Sequence, residues 1–224
     1  MSLPLVLCAA LFGGAAASFV PRVAHRLAVP RHAPVRAACA HCHQPTPSWV
    51  RAGASCPCRR APVWTVGAGA LTSGALAAAL GPSPLLLVVL PATALGVLLA
   101  VVDVRCRRLP DRLVAALALV TVVPLTLVAP GGLPRAVAAA GLSGVAYLSI
   151  ALLPGRGLGF GDVKLATVLG FLLGFAGWPA VLTGLLAPHL INGPAAVVLL
   201  ITRRGRSLPF GPALLAGAVV GLAV

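Results

Sequence analysis

Eight apolar runs, most of them long enough to cross a bilayer, leave this chain few folds to choose from. They cover about 3–20, 63–80, 84–102, 113–129, 133–153, 164–178, 180–201 and 210–224. A bilayer core takes about 20 mostly apolar residues per helical span. Barrel strands would instead be short and alternating. The second run is rich in Ala and Gly, and the last is short. Pro91, Pro124, Pro188 and Pro194 lie inside runs, which membrane helices tolerate when neighbouring groups satisfy the freed carbonyls. Only 9% of residues are charged, against roughly 25% in a soluble domain, and the mean hydropathy is +1.03. The expected fold is an all-α polytopic membrane protein with about eight transmembrane helices. No internal repeat stands out.

A net charge of +14 is the usual footprint of a nucleic-acid binder. Here aromatics are few, there is no basic helix with a polar face, and no nucleic-acid motif is present. The expected partner of the charge is the lipid bilayer, not nucleic acid. Basic residues cluster in the cytoplasmic loops of membrane proteins. Seven of the seventeen fall in 22–60, four in 103–112, two in 154–164 and three in 203–206, leaving only Arg135 in a loop of the other parity. With eight crossings, both termini lie outside and the basic loops lie in the cytoplasm, at the plasma (bacterial inner) membrane. The first run lacks the basic flank of a signal peptide. Leu7 before Cys8 makes a poor lipobox, so the run reads as an uncleaved helix, with a cleaved signal as the alternative.

The chain has three acidic residues, Asp103, Asp111 and Asp162, and no Glu. Asp103 ends the third run and Asp162 opens the sixth, so the topology sets both at one membrane face. Ionisable groups at membrane depth cost roughly 2.5–3.5 kcal/mol on insertion scales and usually mark function. Two carboxyls brought close share a proton, so one serves as base while the other serves as acid. Such a pair can activate water against a peptide bond without a covalent intermediate. Gly159 and Gly161, flanking Phe160 before Asp162, permit positive-φ turns and close approach of a substrate backbone. A glycine turn followed by a helix-starting Asp is the plainer account of that stretch alone.

Three more motifs add to it. "DVRCRRLPD" (Asp103 to Asp111) resembles the D-x-x-x-x-x-L-P-D element of the type IV prepilin peptidases, membrane aspartic proteases of the GxGD type. "GFGD" resembles their second element. "LPFGP" (Leu208 to Pro212) looks like the P-F-G-P opening of their last helix. "GGAAASFVPRVAHRL" (Gly13 to Leu27) resembles their G-S-F-x-N-x-x-x-x-R-L entry, with Ala17 and Pro21 departing from it. The resemblance spans nearly the whole chain. It implies a membrane aspartic endopeptidase with Asp103 and Asp162 as catalytic residues and Gly159, Gly161, Asp111 and Lys164 in the active-site loops. It also implies pilin or type II secretion pseudopilin precursors as substrates, their basic leaders cut at the cytoplasmic face. Asp111 reads either as the cap of the fourth run or as a substrate contact. Lys164 either steers substrate or snorkels. The domains expected are a first transmembrane helix (1–21), a cytoplasmic Cys-rich insert (22–62) and a membrane-embedded peptidase domain (63–224).

The insert is too small for a core of its own. It carries Cys39 and Cys42 as C-x-x-C and Cys56 and Cys58 as C-x-C. Thiols in a reducing cytosol favour metal over disulfide, and four thiolates suit tetrahedral zinc. The resemblance points to the same structural zinc. The tight C-x-C leaves His41 or His43 as alternative ligands, and unliganded thiols as the bland account. The longer members of the family also methylate the new N-terminus with S-adenosylmethionine. This chain offers no G-x-G-x-x-G fingerprint and no acid in the insert, so methyl transfer stands on resemblance alone. Cys8 and Cys106 read as packing residues. His189 and Asn192 either line the site or bond between helices. The rival functions are a small transporter using Asp103 and Asp162 as a proton or cation relay, and an inactive scaffold.

Overall fold

The computed structural model describes residues 2–29, 34–38, 63–153, 158–202 and 209–224. Among these every regular element is helical: α1 Leu3–Ser18, α2 Val20–Leu27, α3 Val63–Leu80, α4 Pro84–Cys106, α5 Asp111–Val128, α6 Leu133–Leu152, α7 Phe160–Ala176, α8 Trp178–Ile201 and α9 Gly211–Ala223, with a 3₁₀ turn at Pro130–Gly132. α1 and α2 together make one candidate span, Leu3–Leu27, so each expected span has a helical counterpart. Among the described residues five stretches are long and apolar enough to cross a membrane: Leu3–Leu27, Val63–Leu80, Pro84–Cys106, Asp111–Val128 and Pro130–Leu152. The chain is an all-helical, polytopic integral membrane protein. Pro91, Pro124, Pro188 and Pro194 all lie within helices that run on through them.

Two boundaries move in a way that matters. The third span was expected to end at 102, yet α4 runs four residues further and takes Asp103 into its last turn. The sixth was expected to begin at 164, yet α7 starts at Phe160 and takes Asp162 into its first turn. Hydropathy alone ends a span where the charges begin. Backbone hydrogen bonding continues until a cap stops it.

Lipid offers no hydrophobic drive between helices, so close packing of small residues holds such bundles together. A Cβ on Gly13 of α1 would meet Gly69 and Ser73 of α3. A Cβ on Gly170 or Gly174 of α7 would meet Ala139 and Ser143, or Ala136, on α6. α4 is the hub. Half of its most apolar window is buried, against 22% for α5, and it packs on α1, α2, α3, α5 and α9. α7 packs on α5, α6, α8 and α9. The two helices that carry Asp103 and Asp162 are thus held together through α5 and α9, each of which packs on both.

Arg135 was the one base on the sparsely charged side. It sits near the start of α6 and caps the end of its antiparallel neighbour α7. Its Nε donates to the Gly174 carbonyl at 2.5 Å and its Nη2 to the Phe175 carbonyl at 2.9 Å. A cation there answers both the orphan carbonyls and the helix dipole. Arg135→Ala is expected to lower the stability of the folded bundle by about 1–2 kcal/mol, read as a fall in thermal midpoint in detergent. An unchanged midpoint would leave the capping role without support.

Candidate active site

The site forms where three sequence motifs converge on one end of the bundle. In the first, α4 stops at Arg107. This residue takes the left-handed conformation (φ 50°, ψ 45°) and its N–H closes onto the Asp103 carbonyl at 2.6 Å. It is the only non-glycine residue with positive φ among those described. The reversal sends Arg108, Leu109 and Pro110 back toward the bundle. Pro110, in extended conformation, then serves as the N-cap of α5. Asp103 faces inward and is only 4% exposed.

In the second motif, Gly159 is the N-cap of α7 and Asp162 is the third helical residue. The Asp162 carboxylate reaches back, and its Oδ2 accepts the Gly159 N–H at 3.1 Å. This is the return half of a capping box; glycine has no side chain to supply the other half. In the third motif, Gly211 opens α9 and its N–H donates to Asp103 Oδ2 at 3.0 Å. First-turn amides have no intrahelical acceptor, and a carboxylate is a favourable partner for them.

Leu109, 7% exposed, ties the motifs together. A Cβ on Gly161 would come within 3.0 Å of Leu109 Cβ, and one on Gly211 within 3.3 Å of Leu109 Cδ2. Leu109 therefore fills the space left bare by both glycines. This corrects the positive-φ turns expected at Gly159 and Gly161. Neither has positive φ. Gly161 is bare on a side occupied by Leu109, and a Cβ on Gly159 would press on Asp162 Oδ2 at 3.3 Å.

Asp103 and Asp162 line one cavity of about 540 Å³ with Cys106, Arg107, Arg108 and Phe160, and Asp162 lies close enough to feel the charge of Asp103. Pockets of roughly 300–1,000 Å³ take drug-sized ligands. At its rim Lys164 Nζ pairs with Asp111 Oδ1 at 2.7 Å. The Lys164 and Asp111 side chains are 55% and 73% exposed, so the pair adds only about 0–1 kcal/mol. Asp111 was expected either as the cap of the fourth run or as a substrate contact. Pro110 holds the cap position instead, Asp111 is the first helical residue, and its carboxylate turns to Lys164. Cys106, expected as packing, lines the cavity, and its Sγ lies 3.1 Å from the Val102 carbonyl. Cys8 is exposed on the bundle surface.

The buried Tyr147 donates from its hydroxyl to the Leu185 carbonyl at 3.1 Å. Its ring packs on His189 and Phe210 with centroids 5.5 and 6.2 Å away. His189 bonds within its own helix, to the Leu185 carbonyl, while Asn192 reaches the Pro209 carbonyl at 3.4 Å, tying α8 to the segment that leads into α9. The Gly13–Leu27 motif acts as a buttress. Ala17, Val20, Ala24 and Ala28 cluster with Leu98, Val101 and Val102, the residues just before Asp103. Sequence reasoning missed Leu109 and Tyr147, and it found the P-F-G-P stretch without its use. The one available signal was a glycine opening a helix between two prolines.

Cys39, Cys42, Cys56 and Cys58, with His41 and His43, lie outside the described residues. Among the described residues no group of three or more His, Cys, Asp or Glu side chains is placed to hold a metal.

Fold and site together define a helical membrane protein with Asp103 and Asp162 on one cavity at one end of its bundle. The chain matches the type IV leader peptidase family over residues 90–202, a range that contains Asp103, Asp111 and Asp162 and stops short of Gly211. Two relatives, both described as "Prepilin leader peptidase/N-methyltransferase", come from Burkholderia pseudomallei strains 1026b and K96243. Each is 33% identical over 92% of this chain and 66% of its own length, so the chain spans just under two thirds of the relatives it matches. No solved structure matches. The chain belongs to the type IV leader peptidase family.

Proposed function

We propose that this protein is an aspartic endopeptidase that removes the short basic leader from type IV prepilin or pseudopilin precursors. The observation that carries the reading is the convergence of Asp103 and Asp162 on one cavity in a chain with only one other acidic side chain. One carboxylate takes a proton from water, whose oxygen attacks the scissile carbonyl. The other, protonated, gives its proton to the amide nitrogen as the C–N bond breaks. The low polarity around the buried Asp103 strengthens these charge interactions. By the distribution of basic residues this end of the bundle is cytoplasmic and both termini are outside. A precursor with a basic leader and an apolar following segment would then present its scissile bond beside the dyad.

The test is co-expression of the full chain with candidate precursors, following precursor size on a gel. Cleavage by the wild type, abolished by Asp103→Asn or Asp162→Asn, supports the reading. Dyad variants that process the precursor as the wild type does would overturn it.

Cys39, Cys42, Cys56 and Cys58, or three of them with His41 or His43, are proposed to hold a structural zinc ion, because paired thiolates in a short polar insert form a tetrahedral donor set. Purified protein is expected to contain about one equivalent of zinc, falling on Cys39→Ser or Cys56→Ser. Zinc-free protein that is indifferent to chelators would remove this proposal. Methyl transfer finds no support in the 22–62 segment, which offers no acidic side chain for a ribose.

A further inference from the structure

We propose that Gly211 is a positioning residue for Asp103, and that the two carboxyls work through their Oδ1 oxygens. The proposal rests on the peptidase reading. The two carboxyls are held alike. Asp103 Oδ2 accepts the Gly211 N–H at 3.0 Å, and Asp162 Oδ2 accepts the Gly159 N–H at 3.1 Å. Each carboxyl thus has one oxygen committed to a glycine amide at the start of a helix, α9 for Asp103 and α7 for Asp162. The remaining oxygen of each, Oδ1, is the one left to handle water and the leaving amide.

The two anchors differ in strength of construction. Gly159 and Asp162 are three residues apart on one helix end, so that bond forms with local structure. Gly211 and Asp103 are 108 residues apart, and their bond exists only when α9 docks on α4. The site around Gly211 is full. A Cβ there would stand 2.9 Å from Asp103 Oδ2, 3.3 Å from its Cγ and 3.3 Å from Leu109 Cδ2. Any side chain at 211 must push the carboxyl or Leu109 aside, and Leu109 is already wedged against Gly161. The amide donates only because the residue that carries it is bare. Docking of the last helix therefore assembles the dyad, and the P-F-G-P stretch does its work through one main-chain N–H.

Gly211→Ala in the full chain, purified in detergent, is the direct test. Cleavage of a precursor is expected to show kcat down by about tenfold or more, as for an ångström-scale misplacement, with KM within about twofold and the thermal midpoint little changed. A role in folding alone would lower the midpoint and leave turnover per folded molecule unchanged, and that result would overturn the proposal. Because the chain holds three acidic side chains, carboxyl-¹³C labelling of aspartate gives three signals, assigned by single Asp→Asn variants. Gly211→Ala is expected to move the Asp103 signal and leave that of Asp111 in place; an unmoved Asp103 signal overturns the contact. A second measurement needs no change at 211. In wild type the Gly211 amide proton should lie downfield and move upfield in Asp103→Asn, a substitution of similar shape. No movement there also overturns the proposal. A wild-type protein that cleaves no precursor, while the Asp103 signal still responds to Gly211→Ala, locates the failure in the peptidase reading, and the catalytic part of the proposal falls with it.

Discussion

Asp103→Asn and Asp162→Asn are each expected to abolish precursor cleavage, by about a thousandfold or more, while the protein still inserts in the membrane. Asparagine matches aspartate in shape but neither accepts a proton from water nor gives one to a leaving amide. The chemistry needs both acts, and one carboxyl cannot perform them in the same step. General acid or base contributions are each worth about 10²–10⁴-fold, so losing either leaves almost nothing. The remaining acidic side chain cannot substitute, because Asp111 sits at the cavity rim paired with Lys164. Asp103→Glu separates position from chemistry. It keeps the acid but carries it one methylene further, beyond the geometry set by the Gly211 amide, and about a hundredfold loss is expected. Cleavage assays on purified protein with a defined precursor check all three. Full turnover by either asparagine variant would remove the dyad from the mechanism.

Gly174→Val is expected to have the largest effect on assembly of the bundle. A Cβ at this position would lie 2.5 Å from Ala136 Cα and 3.1 Å from the Ala136 nitrogen. Those are main-chain atoms in the middle of a helix turn and cannot swing away. α7 must then move off α6, and the Arg135 bond to the Gly174 carbonyl is strained with it. Overpacking of this kind costs about 1–3 kcal/mol in cores that can relax; a backbone-to-backbone seam lies at the upper end. The expected result is a thermal midpoint well below that of the wild type. Cleavage should be reduced as well, since α7 carries Asp162 at its far end. A variant as stable as the wild type would mean that the two helices are not packed at this seam.

Much of this molecule was legible because membrane insertion makes hydropathy speak plainly. A span must hide its backbone hydrogen bonds inside a helix, so runs of apolar residues map onto helices with little ambiguity. Scarcity did the rest for the site. When a chain has three carboxylates, those at the ends of apolar runs are conspicuous. The ends of the helices were less legible. Asp103 lies within α4 because the stop comes at Arg107, whose left-handed turn leaves no mark in an Arg-Arg pair. Pro110 displaced Asp111 as the cap of α5, although aspartate is the commoner residue in that role.

Chain order, apolar run lengths and the positions of three aspartates were enough to establish a helical membrane protein with its acids at one end. They could not say how those acids are held. Leu109 meets Gly161 and Gly211 across 52 and 102 positions of chain, and the Gly211 amide finds Asp103 only after α9 has packed against α4. Contacts of that kind depend on which helices are neighbours. In lipid that choice is made by the fit of small residues between helices rather than by hydropathy, and so it appears only in the folded bundle.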